Sequence, residues 1–308
     1  FDKDLLKQGQ WKSRYLTQPE ILEYLNKFAD KYDLRRTYRF NTKVTAAHFD
    51  ENIGLWWITT DRGARITAKY LVTGLGLLSA TNKPAFEGVD SFRGEIFHTG
   101  AWPEGVDLSG KRVGVIGTGS TGVQVIVALA PVASHLTVFQ RSAQYVVPIA
   151  NWPESAEKIA EYKSNYDAIW KQVKNSAVAF GFTESTTAAT SVSKEERDRV
   201  FEEGWRCGGG FRFMFETFCD IATSREANDA ATDFIKRKIA QAVKDPETAR
   251  KLMPTDLYAK RPLCGHEYYE IYNRENVTLV DVKQDPIAAF TPEGIRLASG
   301  AEHQLDAI

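Results

Sequence analysis

Six residues, Gly117-Thr118-Gly119-Ser120-Thr121-Gly122, lie between the apolar run Val113-Gly114-Val115-Ile116 and a second apolar run from Val123 to Ala130. In such a segment the first glycine permits a tight turn from strand to helix. The second lets backbone approach a pyrophosphate, and the third lets helix and strand close on each other. A phosphate then meets the free N–H groups and the positive end of the helix dipole. A glycine loop alone is a weak signal, but here strand and helix stand where the chemistry needs them. The segment therefore predicts dinucleotide binding by residues 117–122, with Gln124 on the following turn. About 20 residues past the loop, the next strand should end on a carboxylate if ribose hydroxyls are to be read. Instead the chain runs Phe139-Gln140-Arg141-Ser142. Arg141 offers a planar, permanently charged fork to a 2′-phosphate, and Ser142 adds a donor. NADPH/NADP+ is the expected cofactor; a solvated surface arginine is the competing reading.

The elements that would position these residues follow from periodicity. Arg112–Ile116, Val123–Ala130 and Leu136–Gln140 read as strand, helix and strand of one βαβ unit. Upstream, Ile21, Leu22, Leu25, Phe28 and Ala29 recur at helical spacing behind Thr17 and Glu20, which predicts a capped helix from Gln18 to Tyr32. Thr42–Phe49, Leu55–Thr60 and Arg65–Val72 read as a β-meander with a return strand. Prolines and glycines between Leu77 and Pro103 mark a linker. From Asn151 to Pro254 the texture is helical, with long stretches at Ala156–Val173 and Ala230–Val243 and a break at Gly208-Gly209-Gly210; it is too long for a loop and predicts a helical insertion. Val277–Val282 and Gly294–Leu297 resume strand character.

Composition narrows the partners. The 308 residues are 43% hydrophobic and 26% charged, the balance of a globular protein, and a formal net charge of −1 supplies no field for nucleic acid or an anionic membrane. No apolar run is long enough for a membrane span and no signal peptide opens the chain. Cys207, Cys219 and Cys264 have neither disulfide nor metal-like spacing, so reduced thiols and no metal are expected. A cytoplasmic monomer acting on a small molecule is the resulting expectation. The chain opens at Phe1 without methionine and stops at Asp306-Ala307-Ile308 as an apolar strand begins, as expected of a piece of something longer.

Immediately before the nucleotide-binding strand, Phe92-Arg93-Gly94-Glu95-Ile96-Phe97-His98-Thr99-Gly100-Ala101-Trp102-Pro103 fits the pattern FxGxxxHxxxWP. This resembles the fingerprint of type I Baeyer–Villiger monooxygenases, carried on Phe92, Gly94, His98, Trp102 and Pro103. The likeness extends to Tyr15–Leu22, to Phe211-Arg212-Phe213-Met214-Phe215 and to Tyr258-Ala259-Lys260-Arg261-Pro262-Leu263-Cys264, and covers essentially all the chain as the family's middle portion. It implies an α/β fold of the two-dinucleotide-binding-domain flavoprotein monooxygenase type: a Rossmann-like NADP domain with a helical insertion, plus part of an FAD domain. The expected divisions are 1–83 (partial FAD domain), 84–150 (linker and NADP domain), 151–264 (insertion) and 265–308 (the rest of the NADP domain and the start of the return to the FAD domain).

The same resemblance implies FAD and NADPH as cofactors and a ketone and dioxygen as substrates, giving an ester or lactone, with cyclohexanone-like cyclic ketones expected. It makes Arg261 the catalytic arginine, over the flavin ring. The physics agrees, because developing oxyanions need a donor that never loses its charge. Lys260 would reach the NADP ribose phosphate, and His98 would couple the domains. Val44 and Leu77-Leu78 would add contacts to FAD, and Leu77, Leu78, Phe180, Phe211 and Phe213 are candidate walls of the ketone pocket. The family's N-terminal FAD loop and C-terminal substrate segment fall outside residues 1–308, so these residues alone are expected to bind NADP(H) without turnover. A flavin monooxygenase acting on nitrogen or sulfur is the nearest rival; Trp102-Pro103 and Lys260-Arg261 speak against it. A disulfide reductase would need a redox cysteine pair that is not there.

Overall fold

The computed structural model describes all residues except Phe1, Leu77 and Ser79. The chain forms two compact units, Phe1–Ala80 with Glu154–Ile159, and Thr81–Pro153 with Ala160–Ile308.

In the first unit, α1 (Lys3–Gln8) precedes α2 (Gln18–Lys31). The carboxylate of Glu20 accepts from the Thr17 N–H at 2.8 Å and from Thr17 Oγ1 at 2.7 Å, so α2 starts where the capping residues predict. Asp2 receives Lys31 Nζ at 2.9 Å and the Tyr32 hydroxyl at 2.5 Å, which tie the two helices and hold its carboxyl well below the usual carboxylate range. Strands β1 (Val44–Asp50), β2 (Leu55–Thr60) and β3 (Arg65–Ala68) make an antiparallel meander in that order. The third strand stops four residues earlier than its β-rich sequence predicts. Val72 and Leu75 are 90% and 75% exposed, and among the described residues this stretch has no ladder partner; a strand without a neighbour to satisfy its backbone is not stable.

The second unit is built on β4 (Arg112–Ile116), α3 (Ser120–Leu129) and β5 (His135–Gln140). These strands pair in parallel, Val113 against Leu136 and Ile116 against Phe139, with α3 as the crossover. Val123, Ile126, Leu136 and Val138 are buried in one core. Next come the short β6 (Val146–Pro148) and the helices α4 (Ala156–Ser164), α5 (Tyr166–Asn175), α6 (Lys194–Cys207), α7 (Gly210–Phe215), α8 (Arg225–Ala242) and α9 (Pro246–Leu252). The predicted single helix from Ala156 to Val173 is divided at Asn165. That residue's Nδ2 joins its own N–H on the Glu161 carbonyl, at 3.0 and 3.1 Å, while its backbone leaves the helical region at φ −108°, ψ 12°. Gly208 and Gly209 separate α6 from α7, and Gly210 opens α7, so the helical run breaks at the triple glycine as its sequence predicts.

The helical segment leaves from β6 and returns at β7 (Leu263–Gly265), which pairs in parallel with β6, Val146 opposite Leu263. Its interior is aromatic: Phe201, Phe213, Phe218 and Phe234 stack around one another, with Tyr258 at the edge. Strand β8 (Val277–Asp281) then joins β5 in parallel, giving the order β4-β5-β8. An antiparallel meander, β9 (Ile287–Thr291), β10 (Gly294–Leu297) and β11 (Glu302–Gln304), follows. Beyond it the chain comes back to the sheet, where Ala307 bridges Val113 in parallel and Asp306 takes Arg112 Nη2 at 2.6 Å. That ion pair holds the Asp306 carboxyl below its ordinary range.

Candidate functional site: the glycine loop and its cationic rim

The loop after β4 turns on Gly117, at φ +102°, a left-handed conformation that a side chain resists. Its N–H donates to the Phe139 carbonyl at 3.0 Å, so the turn is pinned to the end of the neighbouring strand. A Cβ added at Gly122 would lie 2.3 Å from the Gly117 carbonyl oxygen, whereas one added at Gly117 or Gly119 would meet nothing within 4 Å. The last glycine is thus needed for packing, while the first two face open space where a ligand backbone can approach. Gly119 is the N-cap of α3 and no side chain caps it. The first turn holds Ser120, Thr121 and Gly122 without a carboxylate. Free N–H groups, a dipole end and a bare approach fit a pyrophosphate. Ser120, Thr121 and Gln124 are exposed around it.

Thr118 is the buried exception. Its Oγ1 donates to the Ser142 carbonyl at 3.0 Å, which fastens the glycine loop to the turn after β5 and fixes Arg141 and Ser142 beside it. Both are exposed, and among the described residues no ion pair engages Arg141. An unpaired guanidinium at the end of the second strand, with no carboxylate in Gln140-Arg141-Ser142, fits a ribose 2′-phosphate.

Lys260 and Arg261 reach the same end through the β6–β7 pair. The register that sets Val146 against Leu263 carries Gln144 toward Arg261, and Ala143, Gln144, Tyr145, Asp256, Lys260 and Arg261 line one small cleft. Lys260 Nζ rests on Asp256 Oδ2 at 2.5 Å, and the pairing holds the Asp256 carboxyl below its ordinary range. Arg261 is exposed and makes no hydrogen bond or ion pair among the described residues.

The remaining residues are dispersed. Phe92 is buried with Phe290 and Ile295, and Gly94 sits where a Cβ would strike the Asp306 carbonyl at 2.3 Å, so both serve packing. His98 Nδ1 accepts the Gly100 N–H at 3.0 Å, which leaves Nε2 to carry the proton of a neutral ring. Trp102 packs on Phe97 with ring centroids 5.3 Å apart and stays 43% exposed, followed by exposed Pro103. Phe180 and Phe211 stack at 4.5 Å, with Phe180 55% exposed. Phe213, at 0% exposure, is enclosed by the aromatic core and packs the insertion. In the other unit Val44 opens β1 and is exposed, as is Leu78; Leu77 lies outside the described residues. The sequence reading missed Tyr145 and Asp256, which line the cleft, and Asn228, which bonds the backbone of Tyr258 in its wall; among them only Asn228, a polar residue on the apolar face of α8, left a signal.

The chain resembles known proteins along its whole length. Residues 10–154 match the flavin-binding monooxygenase-like family. Over 308 residues the chain is 70% identical to a Baeyer–Villiger monooxygenase of Pseudooceanicola batsensis, covering 100% of the chain and 56% of that protein. It is 52% identical over 306 residues to phenazine N-monooxygenase of Lysobacter antibioticus, covering 99% of the chain and 57% of that protein. A crystal structure of cyclohexanone monooxygenase from Rhodococcus sp. Phi1 bound to NADP+ superposes with TM-score 0.96 at 59% identity, over 100% of this chain and 58% of that one. The chain spans a little over half the length of the curated relatives it matches. By sequence and by fold, the chain is similar to a little over half of each Baeyer–Villiger monooxygenase it matches.

Proposed function

We propose that the chain carries the NADP(H) site and the catalytic arginine of a flavin-dependent monooxygenase that inserts one oxygen atom of dioxygen beside a ketone carbonyl, giving an ester or lactone. The observation that carries the reading is the uncapped, carboxylate-free glycine loop fastened by Thr118 to the turn that presents Arg141. Residues 117–122 hold the pyrophosphate by backbone N–H groups, Arg141 and Ser142 hold the 2′-phosphate, and Lys260 leaves Asp256 to add a second positive charge. Bound FAD and NADPH supply the redox chemistry of the reaction. Arg261 supplies a permanent positive charge for oxyanions of the substrate, and with no hydrogen bond or ion pair among the described residues its donors are available for that. Val44, Leu77 and Leu78 belong to the FAD side. Phe180 and Phe211 form an apolar wall for a cyclic ketone, with Phe213 supporting them from behind. His98 keeps the linker turn in shape and couples the domains. In this proposal the protein works as a cytoplasmic monomer, and residues 1–308 alone bind NADP(H) without turning over.

The second reading is oxidation at nitrogen, favoured by the 52% identity to a phenazine N-monooxygenase. Both are tested by supplying cyclohexanone or phenazine, with NADPH and dioxygen, to the FAD-loaded full-length protein and identifying the product by mass. A lactone supports the first reading and an N-oxide alone overturns it. No flavin bands and no NADPH consumption would overturn both.

A further inference from the structure

An asparagine in a helix interior is unfavourable, because its amide competes with the backbone ladder, unless it is satisfied elsewhere. Asn228 lies near the start of α8, 4% exposed, among buried Ala227, Ala231, Thr232 and Ile235. Its amide is fully used across space. Nδ2 donates to the Ile221 carbonyl at 2.9 Å and to the Tyr258 carbonyl at 2.9 Å, while Oδ1 accepts the Tyr258 N–H at 3.0 Å. One side chain thus grips both polar groups of a single residue's backbone, three positions before Arg261.

The grip is reinforced around it. The Tyr258 ring, buried, lies edge-on to Tyr145 with centroids 5.3 Å apart, and Tyr145 donates its hydroxyl to the Asp256 carbonyl at 2.7 Å. On the far side of Arg261, Pro262 is buried so close to Gly210 that a Cβ there would meet its Cβ at 2.8 Å, and β7 begins one residue later. Proline also confines the residue before it to extended backbone. Lys260 and Arg261 therefore sit on a short bridge between two anchors, and the direction of Arg261 is set by backbone, since among the described residues none bonds its side chain.

We propose that Asn228 is the positioning residue for Lys260 and Arg261, clamping Tyr258 so that both cations face the dinucleotide. This rests on the reading of those two residues as cofactor-facing. Releasing the clamp lets residues 258–261 wander, and a misplaced cation loses a binding contribution that depends on geometry.

The test uses the FAD-loaded full-length protein and NADP+, with the dissociation constant taken by calorimetry well below the melting of every variant and the melting temperature recorded beside it. Asn228→Ala is expected to weaken NADP+ about 10-fold, the equivalent of one or two lost hydrogen bonds. In a Lys260→Ala/Arg261→Ala background the same change is expected to alter affinity less than about 2-fold, because the groups it positions are gone. Ile239→Val, buried on the same helix, serves as a stability control that leaves affinity unchanged. Asn228→Ser carries the same comparison if the alanine variant does not fold. Equal losses in both backgrounds, or a loss reproduced by the control, would mean general destabilisation and overturn the proposal. If Lys260→Ala/Arg261→Ala itself leaves NADP+ binding intact, the cofactor-facing reading of the loop falls, and the positioning role falls with it.

Discussion

The two halves of the site are made in opposite ways. The glycine loop is local: Gly117 to Gly122 are consecutive, and they offer a ligand backbone N–H groups and space. The Lys260–Arg261 rim is non-local: it offers side chains, and it is placed by Asn228, Tyr145 and Gly210, with Tyr145 bonding Asp256 across 111 residues of sequence. A site can thus have one half built within a single βαβ unit, pinned only to the end of its neighbouring strand, and another that depends on the packing of a distant helical segment. The first half should fail through changes within itself, the second through changes far from it.

Removing the Tyr258 ring attacks the non-local half at its root. Tyr258→Ala is expected to cost about 3–5 kcal/mol in urea unfolding, as for other buried aromatics, and a loss under about 1 kcal/mol would show that the rim does not depend on that packing. Gly122→Ala attacks the local half. The added methyl meets a carbonyl rather than a movable side chain, so NADP+ and NAD+ should both bind about 10- to 100-fold more weakly in titrations, on an overpacking cost of about 1–3 kcal/mol. Arg141→Gln sharpens the contrast, since it should weaken NADP+ about 10-fold and leave NAD+ unchanged. Equal weakening of the two would deny a role with the 2′-phosphate.

The smallest effect concerns the sheet under the loop. His303 lies edge-on to Phe139 at 5.4 Å, and burial depresses its pKa below the ordinary 6.5, against the pull of Asp285. The unfolded chain therefore takes up a proton at a pH where the folded one does not. The stability from neutral His303 is present above about pH 6.5 and is lost as pH falls below it. Melting temperatures between pH 7.5 and 5.5 should fall with a slope that His303→Gln reduces, and an unchanged slope would assign it to other groups.

This division also explains what could be read from sequence. The glycine loop, its strand and helix, and Arg141 were legible because each is defined by neighbours in the chain. Arg261 could be singled out only through the family resemblance, since nothing in Lys-Arg-Pro shows that β6 and β7 pair or that Asn228 holds Tyr258. The shortened β3 and the division of the helix at Asn165 were missed for a related reason: propensity does not say whether a strand finds a partner or which carbonyl an amide will take.

The most direct test of the account is an amide-resolved NMR titration of the chain with NADP+. Gly119–Gly122, Arg141–Ser142 and Lys260–Arg261 should shift together along one binding curve. Shifts confined to the glycine loop, with residues 258–261 unmoved at saturation, would contradict the claim that the two halves form one site.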